Sequence, residues 1–230
     1  MKTIGLIGGM SWESTVTYYQ IINTCIKEKL GGFHSAKCVL YSVDFAEVEG
    51  HMALGEWDDA ALILGDAAVA LERAGVDFIL ICTNTLHKVF DQVAARVKVP
   101  LLHIADAVAD ALDARGYKTV ALLGTKYTMQ QDFYRERLAR RGFRVLVPDE
   151  NEMDEVNRII FDELCMGTIA DDARKTYIAV IDRLVASGAQ ATILGCTEIG
   201  LLVRPEDTPT PLFDTAIIHA VRAAEMALAE

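Results

Sequence analysis

The residue that points most directly at chemistry is Cys196, in the run Gly195-Cys196-Thr197-Glu198 at the end of a mostly apolar stretch. A parallel run, Cys82-Thr83-Asn84-Thr85, follows the apolar stretch Phe78 to Ile81, and aligning the two places Cys196 opposite Thr83. A thiol is an unusually versatile group, because near its pKa it both takes and gives a proton. Helix N-termini expose backbone N–H groups that favour a carboxylate, and the same field would draw a thiol from about 8.5 toward neutrality. Acid–base groups on two facing walls suit proton exchange at both faces of one carbon atom. Most free cysteines are buried and structural. Cys196 departs from that expectation through its place between a strand-ending glycine and a polar pair. Cys25 falls in a helical pattern and Cys38 at a strand start, while Cys82 closes its strand and should face away from Thr83.

The remaining candidates cluster at similar positions. Asn84, Thr85 and Thr197, with Thr125 and Thr128 of the run Gly124-Thr125-Lys126-Tyr127-Thr128, offer donors for a substrate carboxylate. Met10 and Ser11, after Gly8-Gly9, would line the pocket near a side chain. Asp44 and Glu198 could meet a substrate amine or serve as ordinary caps and secondary hydrogen-bond partners. His87 lies one helical turn beyond Thr83 and could orient a group there. The dinucleotide spacing Gly-x-Gly-x-x-Gly is absent, and no phosphate-loop lysine motif occurs. His34, His51, His87, His103 and His219 form no metal-ligand spacing, so no metal is expected.

Positioning these residues requires strands that end together. Short apolar runs between turn signals predict strands near 3–8, 37–43, 77–82, 100–104, 118–124, 143–147, 189–195 and 211–213. Helical patterns run from Trp12 to Leu30, Trp57 to Ala74, Gln131 to Arg141, Ala170 to Ser187 and Thr215 to Glu230; all but the last are followed by glycine. The segments 148–155 and 204–211 read as loops. Alternating strands and helices imply parallel sheets covered on both faces. The chain also repeats itself. Lys2 to Gly8 matches Lys118 to Gly124, Ala74 to Thr85 matches Ser187 to Glu198, and Tyr18-Tyr19 matches Phe133-Tyr134. The expected fold is therefore two similar Rossmann-like α/β domains related by a pseudo-two-fold, with the active site in the cleft between them, beyond the strand carboxyl ends.

Bulk properties narrow the partners. The chain has 230 residues, 52% hydrophobic and 24% charged, with a net charge of −11. That balance disfavours nucleic acid and anionic membranes, which need clustered Lys and Arg. No apolar run approaches the ~20 residues of a membrane span. The five cysteines are odd in number and lack a Cys-x-x-Cys pair, which reads as free thiols in a reducing cytoplasm.

Together, Gly8-Gly9-Met10-Ser11, Cys82-Thr83-Asn84-Thr85-Leu86-His87, Leu122-Leu123-Gly124-Thr125 and Gly195-Cys196-Thr197-Glu198 resemble the aspartate/glutamate racemase superfamily, over essentially the whole chain. The resemblance implies an amino-acid racemase that needs no pyridoxal phosphate, commonly a homodimer. It also implies a C-terminal helix that crosses back to the first domain, giving domains of 1–98 plus 207–230 and of 99–206. In such enzymes two cysteines flank the substrate α-carbon. Here the first family cysteine is Thr83, a variant seen in a broad-specificity subgroup, so Cys196 and Thr83 become the expected catalytic pair. Thr83 would act directly or through water. Family members acting on aspartate often carry a basic residue after the second strand and a lysine before the glycine of a later helix. Those regions read Ser42-Val43-Asp44-Phe45 and Glu163-Leu164-Cys165-Met166-Gly167. Without a cation to clamp a second carboxylate, a looser pocket for neutral polar amino acids such as homoserine is expected, with Lys126 the remaining candidate clamp. The alternatives are a single-cysteine decarboxylase of the same superfamily, a maleate cis–trans isomerase, which should also want two cysteines, and a non-catalytic amino-acid-binding protein.

Overall fold

A computed structural model describes residues 1–229. Contacts divide the chain into two units, Met1–Ile104 together with the chain from Ala216 onward, and Ala105–Thr215. The first holds strands β1 (Ile4–Gly8), β2 (Cys38–Ser42), β3 (Phe78–Ile81) and β4 (Leu101–Leu102), all parallel in the order β2-β1-β3-β4. The second holds β5 (Thr119–Gly124), β6 (Arg144–Leu146), β7 (Ala191–Gly195) and β8 (Leu212–Asp214), again parallel, in the order β6-β5-β7-β8. The repeat read in the sequence is thus a repeat of topology. β1, β3 and β7 are buried along their whole length, which is why they read as unbroken apolar runs instead of alternating ones.

In the first unit the helix Trp12–Leu30 lays Tyr18, Ile22 and Ile26 on Ile4, Leu6, Phe78 and Leu80. The helix Thr215–Leu228 adds Ala216, Ala220, Ala223, Ala224 and Ala227 to the same core. In the second unit Tyr177, Val180, Ile181 and Leu184 of the helix Asp171–Ala186 pack with Ala121, Leu123 and Leu194. No described helix is long and apolar enough to cross a membrane.

The chain changes units later than the expected 98/99 and 206/207. Strand pairing is the reason: β4 bonds to β3 in the first sheet and β8 to β7 in the second, so each crossing follows its strand. The stretch expected to be a loop at 148–155 is largely the helix Glu150–Arg158. Its capping box satisfies free N–H groups at both sides of the first turn, with Asp149 Oδ1 accepting from the Glu152 N–H at 3.0 Å and Glu152 returning to the Asp149 N–H. Further helices at Phe45–Leu54 and Ile104–Asp113 were not expected.

Candidate active site

The candidate residues gather in two groups, each at the carboxyl ends of the two central strands of one sheet. In the first unit Met10 and Ser11 follow β1, and Thr83, Asn84 and Thr85 follow β3, its bonded neighbour. Gly9 makes the turn at φ +96°, and a Cβ there would lie 2.2 Å from the Val43 carbonyl oxygen, so only glycine fits. Thr15 holds the turn, its Oγ1 accepting from the Gly9 N–H at 2.9 Å and donating to the Ser11 carbonyl at 2.8 Å. Ser11 caps the helix Trp12–Leu30 by accepting from the Ser14 N–H, and Met10 is buried. Thr83 is half-buried, whereas Asn84 and Thr85 are buried. Cys82 is sealed among Leu80, Tyr18 and Ala220, and burial pushes its thiol far up; it faces the core, as its strand parity required.

In the second unit Thr125 and Thr128 follow β5, and Cys196, Thr197 and Glu198 follow β7. Thr125 caps a short helix, Lys126–Gln130, and its hydroxyl lies 3.2 Å from that of Thr128. The strand ends approach so closely that a Cβ on Gly195 would sit 2.8 Å from the Leu123 carbonyl oxygen. Thr128 packs over both strand-ending glycines, Gly124 and Gly195. This close contact fixes where the next residue, Cys196, leaves the sheet.

The Cys196 thiol donates to Glu198 Oε2 at 3.0 Å, and the Thr197 hydroxyl donates to the same oxygen at 2.7 Å. Burial first, and the Glu198 charge second, push the thiol well above its ordinary value. This corrects the expected fall toward neutrality. The helix after Cys196 is only Ile199–Leu202, too short to offset an adjacent carboxylate. At rest Cys196 is therefore a protonated thiol, and Glu198 touches it directly.

Other expected roles change as well. Asp44 caps the helix Phe45–Leu54, accepting from the Ala46 N–H at 3.1 Å. Lys126 is paired with Asp154, which raises its ammonium pKa, so its charge is already engaged within the second unit. Among the described residues, metal-ligand atoms come together only at His51, Glu56 and Asp59, a surface group in which His51 Nδ1 already bonds Glu56 at 2.9 Å. Sequence reasoning missed the Cys196–Glu198 bond and a buried aromatic network of Tyr18, His87, Phe90, His103 and His219. The two-residue spacing of Cys196 and Glu198 was the available signal for the first. Nothing in the spacing of the histidines announces the second.

A sheet order repeated twice, with polar triplets beyond the central strands, defines a two-unit α/β fold with chemistry at its strand ends. The Asp/Glu/hydantoin racemase profile matches residues 7–223, and the chain belongs to that family. It is 29% identical over 218 residues to the broad specificity amino-acid racemase RacX of Bacillus subtilis strain 168, covering 93% of this chain and 92% of that one. Among solved structures it is similar to a candidate Asp/Glu racemase from Yersinia pestis, at 52% identity and TM-score 0.95, over the full length of both chains. It also resembles PH1733, an aspartate racemase homologue from Pyrococcus horikoshii OT3, at 39% identity and TM-score 0.87, again over both full lengths. The protein is an isomerase acting on amino acids.

Proposed function

We propose that this racemase works without a cofactor, with Cys196 and Thr83 serving opposite faces of the amino-acid α-carbon. The observation that carries this reading is the Cys196 thiol held on Glu198 at the carboxyl end of β7. The α-C–H bond breaks as the base on one face takes the proton, and the electron pair passes into the carboxylate. Donors from Asn84, Thr85, Thr125, Thr128 and Thr197 meet that developing charge. The acid on the other face then delivers a proton to the same carbon. When the α-proton leaves on the Thr83 side it passes to water, either directly to a water that Thr83 orients or through the hydroxyl as Thr83 hands its own proton on. The Cys196 thiol gives its proton to the other face, and its thiolate is then reprotonated from that water. In the reverse direction Cys196 must first ionise, which the substrate ammonium favours by offsetting Glu198. Because enantiomers are equal in energy, kcat/KM is the same both ways, and asymmetry appears only between the separate kcat and KM values.

The side-chain pocket has no cation assigned to it, since Lys126 is engaged by Asp154. Neutral polar substrates with broad specificity, homoserine among them, are the reading this supports. Met10 would line the pocket near that side chain. We place the enzyme in the cytoplasm as a homodimer, which sedimentation would check. The test of activity is a chiral chromatography screen of the L-amino acids and homoserine with no pyridoxal phosphate added. D-enantiomers should form, and Cys196→Ser should abolish them; no D-product from any substrate, against a working control racemase, removes the reading. The buried, inert Cys82 leaves one working thiol, which also suits a single-cysteine decarboxylase. Release of carbon dioxide from a malonate-type acid, without α-proton exchange of amino acids in deuterium oxide, would establish that second reading.

A further inference from the structure

His87 is 2% exposed, and both ring nitrogens are committed. Nδ1 lies 2.7 Å from the Thr83 carbonyl oxygen, which can only accept. Nε2 lies 3.1 Å from the Ile104 N–H, which can only donate. The ring is therefore the neutral tautomer with its proton on Nδ1. Aromatic rings pack around it: Phe90 stacks at 5.7 Å, His103 lies at 4.5 Å and His219 at 5.8 Å between ring centroids. His219 is fixed in turn, Nε2 donating to the Leu102 carbonyl and Nδ1 accepting from the Tyr18 hydroxyl, each at 3.0 Å.

We propose that His87 is a positioning residue for the acid–base group Thr83, clamping its carbonyl so that the side chain holds one direction; this rests on the role given to Thr83 above. Thr83 sits between β3 and the turn Thr85–Val89, so the orientation of its carbonyl sets the backbone torsions that aim its side chain. The other ring nitrogen anchors this clamp to Ile104, the last residue before the chain leaves the first unit. His87 touches the backbone of Thr83 and acts on the reaction only through it.

The test uses the full-length protein in deuterium oxide with both enantiomers of the amino acid racemised fastest by the parent. Two rates are read from one reaction: α-deuteration with retention, which needs Cys196 alone, and inversion, which needs both faces. Thr83→Ala should raise the retention-to-inversion ratio at least tenfold. His87→Gln keeps an acceptor for Ile104 but removes the Nδ1-side donor, and should raise it likewise. His87→Asn keeps that donor and should return the ratio to within about twofold of the parent. A variant that is merely misfolded lowers both rates together, so a His87→Gln ratio equal to the parent's overturns the proposal. If Thr83→Ala leaves the ratio unchanged, the role of Thr83 itself has failed. Nitrogen-15 spectra of histidine-labelled parent protein give a measurement independent of variant folding. His87 should carry its proton on Nδ1, and a proton on Nε2 refutes the clamp.

Discussion

Replacing Glu198 with Gln removes one charge and almost no volume from beside the thiol, which isolates its electrostatic effect. A thiolate 3.0 Å from the Glu198 oxygen would meet a repulsion of about 5 kcal/mol at an effective dielectric constant of about 20. Each 1.4 kcal/mol is about a factor of ten in thiolate population, so the neutral amide raises that population by about three and a half orders of magnitude. A less basic thiolate is also a weaker nucleophile, which takes back about half of the gain on a logarithmic scale. The net expectation is at least tenfold faster alkylation of Cys196 by iodoacetamide at neutral pH, with the rate–pH profile displaced to lower pH. The assay follows the Cys196 peptide by mass spectrometry, because Cys165 is exposed and will also react. An unchanged or slower rate in Glu198→Gln would show that the carboxylate does not hold the proton on sulfur.

Three further outcomes follow from the geometry. Burial lowers the His219 pKa to about 4 from its ordinary 6.5. The unfolded chain therefore binds a proton here between those values and the folded one does not; the stability is complete above about pH 6.5 and falls by about 3 kcal/mol as the pH drops toward 4. In urea unfolding, His219→Gln should flatten that part of the pH dependence relative to the parent, and identical slopes would refute it. Gly195→Ala forces a Cβ against the Leu123 carbonyl oxygen, at a cost of about 1–3 kcal/mol, and should lower kcat by displacing Cys196. An Ala variant with parental melting temperature and kcat would count against the close approach. Cys82→Ala should lose about 1 kcal/mol of stability while racemising at the parental rate, whereas inactivation would mean that Cys82, not Thr83, serves the first face.

All eight strands could be read from the sequence, because a short apolar run between turn residues is too brief for a helix and too apolar for a loop. Long helices were equally legible where four turns of pattern met a glycine stop, as at Trp12–Leu30 followed by Gly31. The helix Glu150–Arg158 was not, since its first turn is charged and only Met153 and Val156 are buried, yet Asp149 and Glu152 stood at capping-box spacing. The domain limits depended on which strands β4 and β8 pair with, and a strand's partner, unlike the strand itself, leaves no local signal in a run of two or three residues. At the site, residue types told which groups could move protons. They could not tell that Glu198 turns back onto Cys196, because the direction of a side chain in a tight turn is set by backbone torsions. The role of His87 depends on contacts with residues four and seventeen positions away, and only the first of these was visible as a spacing.

The return of the chain to its first unit has a consequence for synthesis. The core built on β1 and β3 stays open until Ala216, Ala220, Ala223, Ala224 and Ala227 arrive. By then Ala105–Thr215, which is continuous, has already left the ribosome. The continuous segment can therefore complete its own contacts before the alanines that fill the first core have been made.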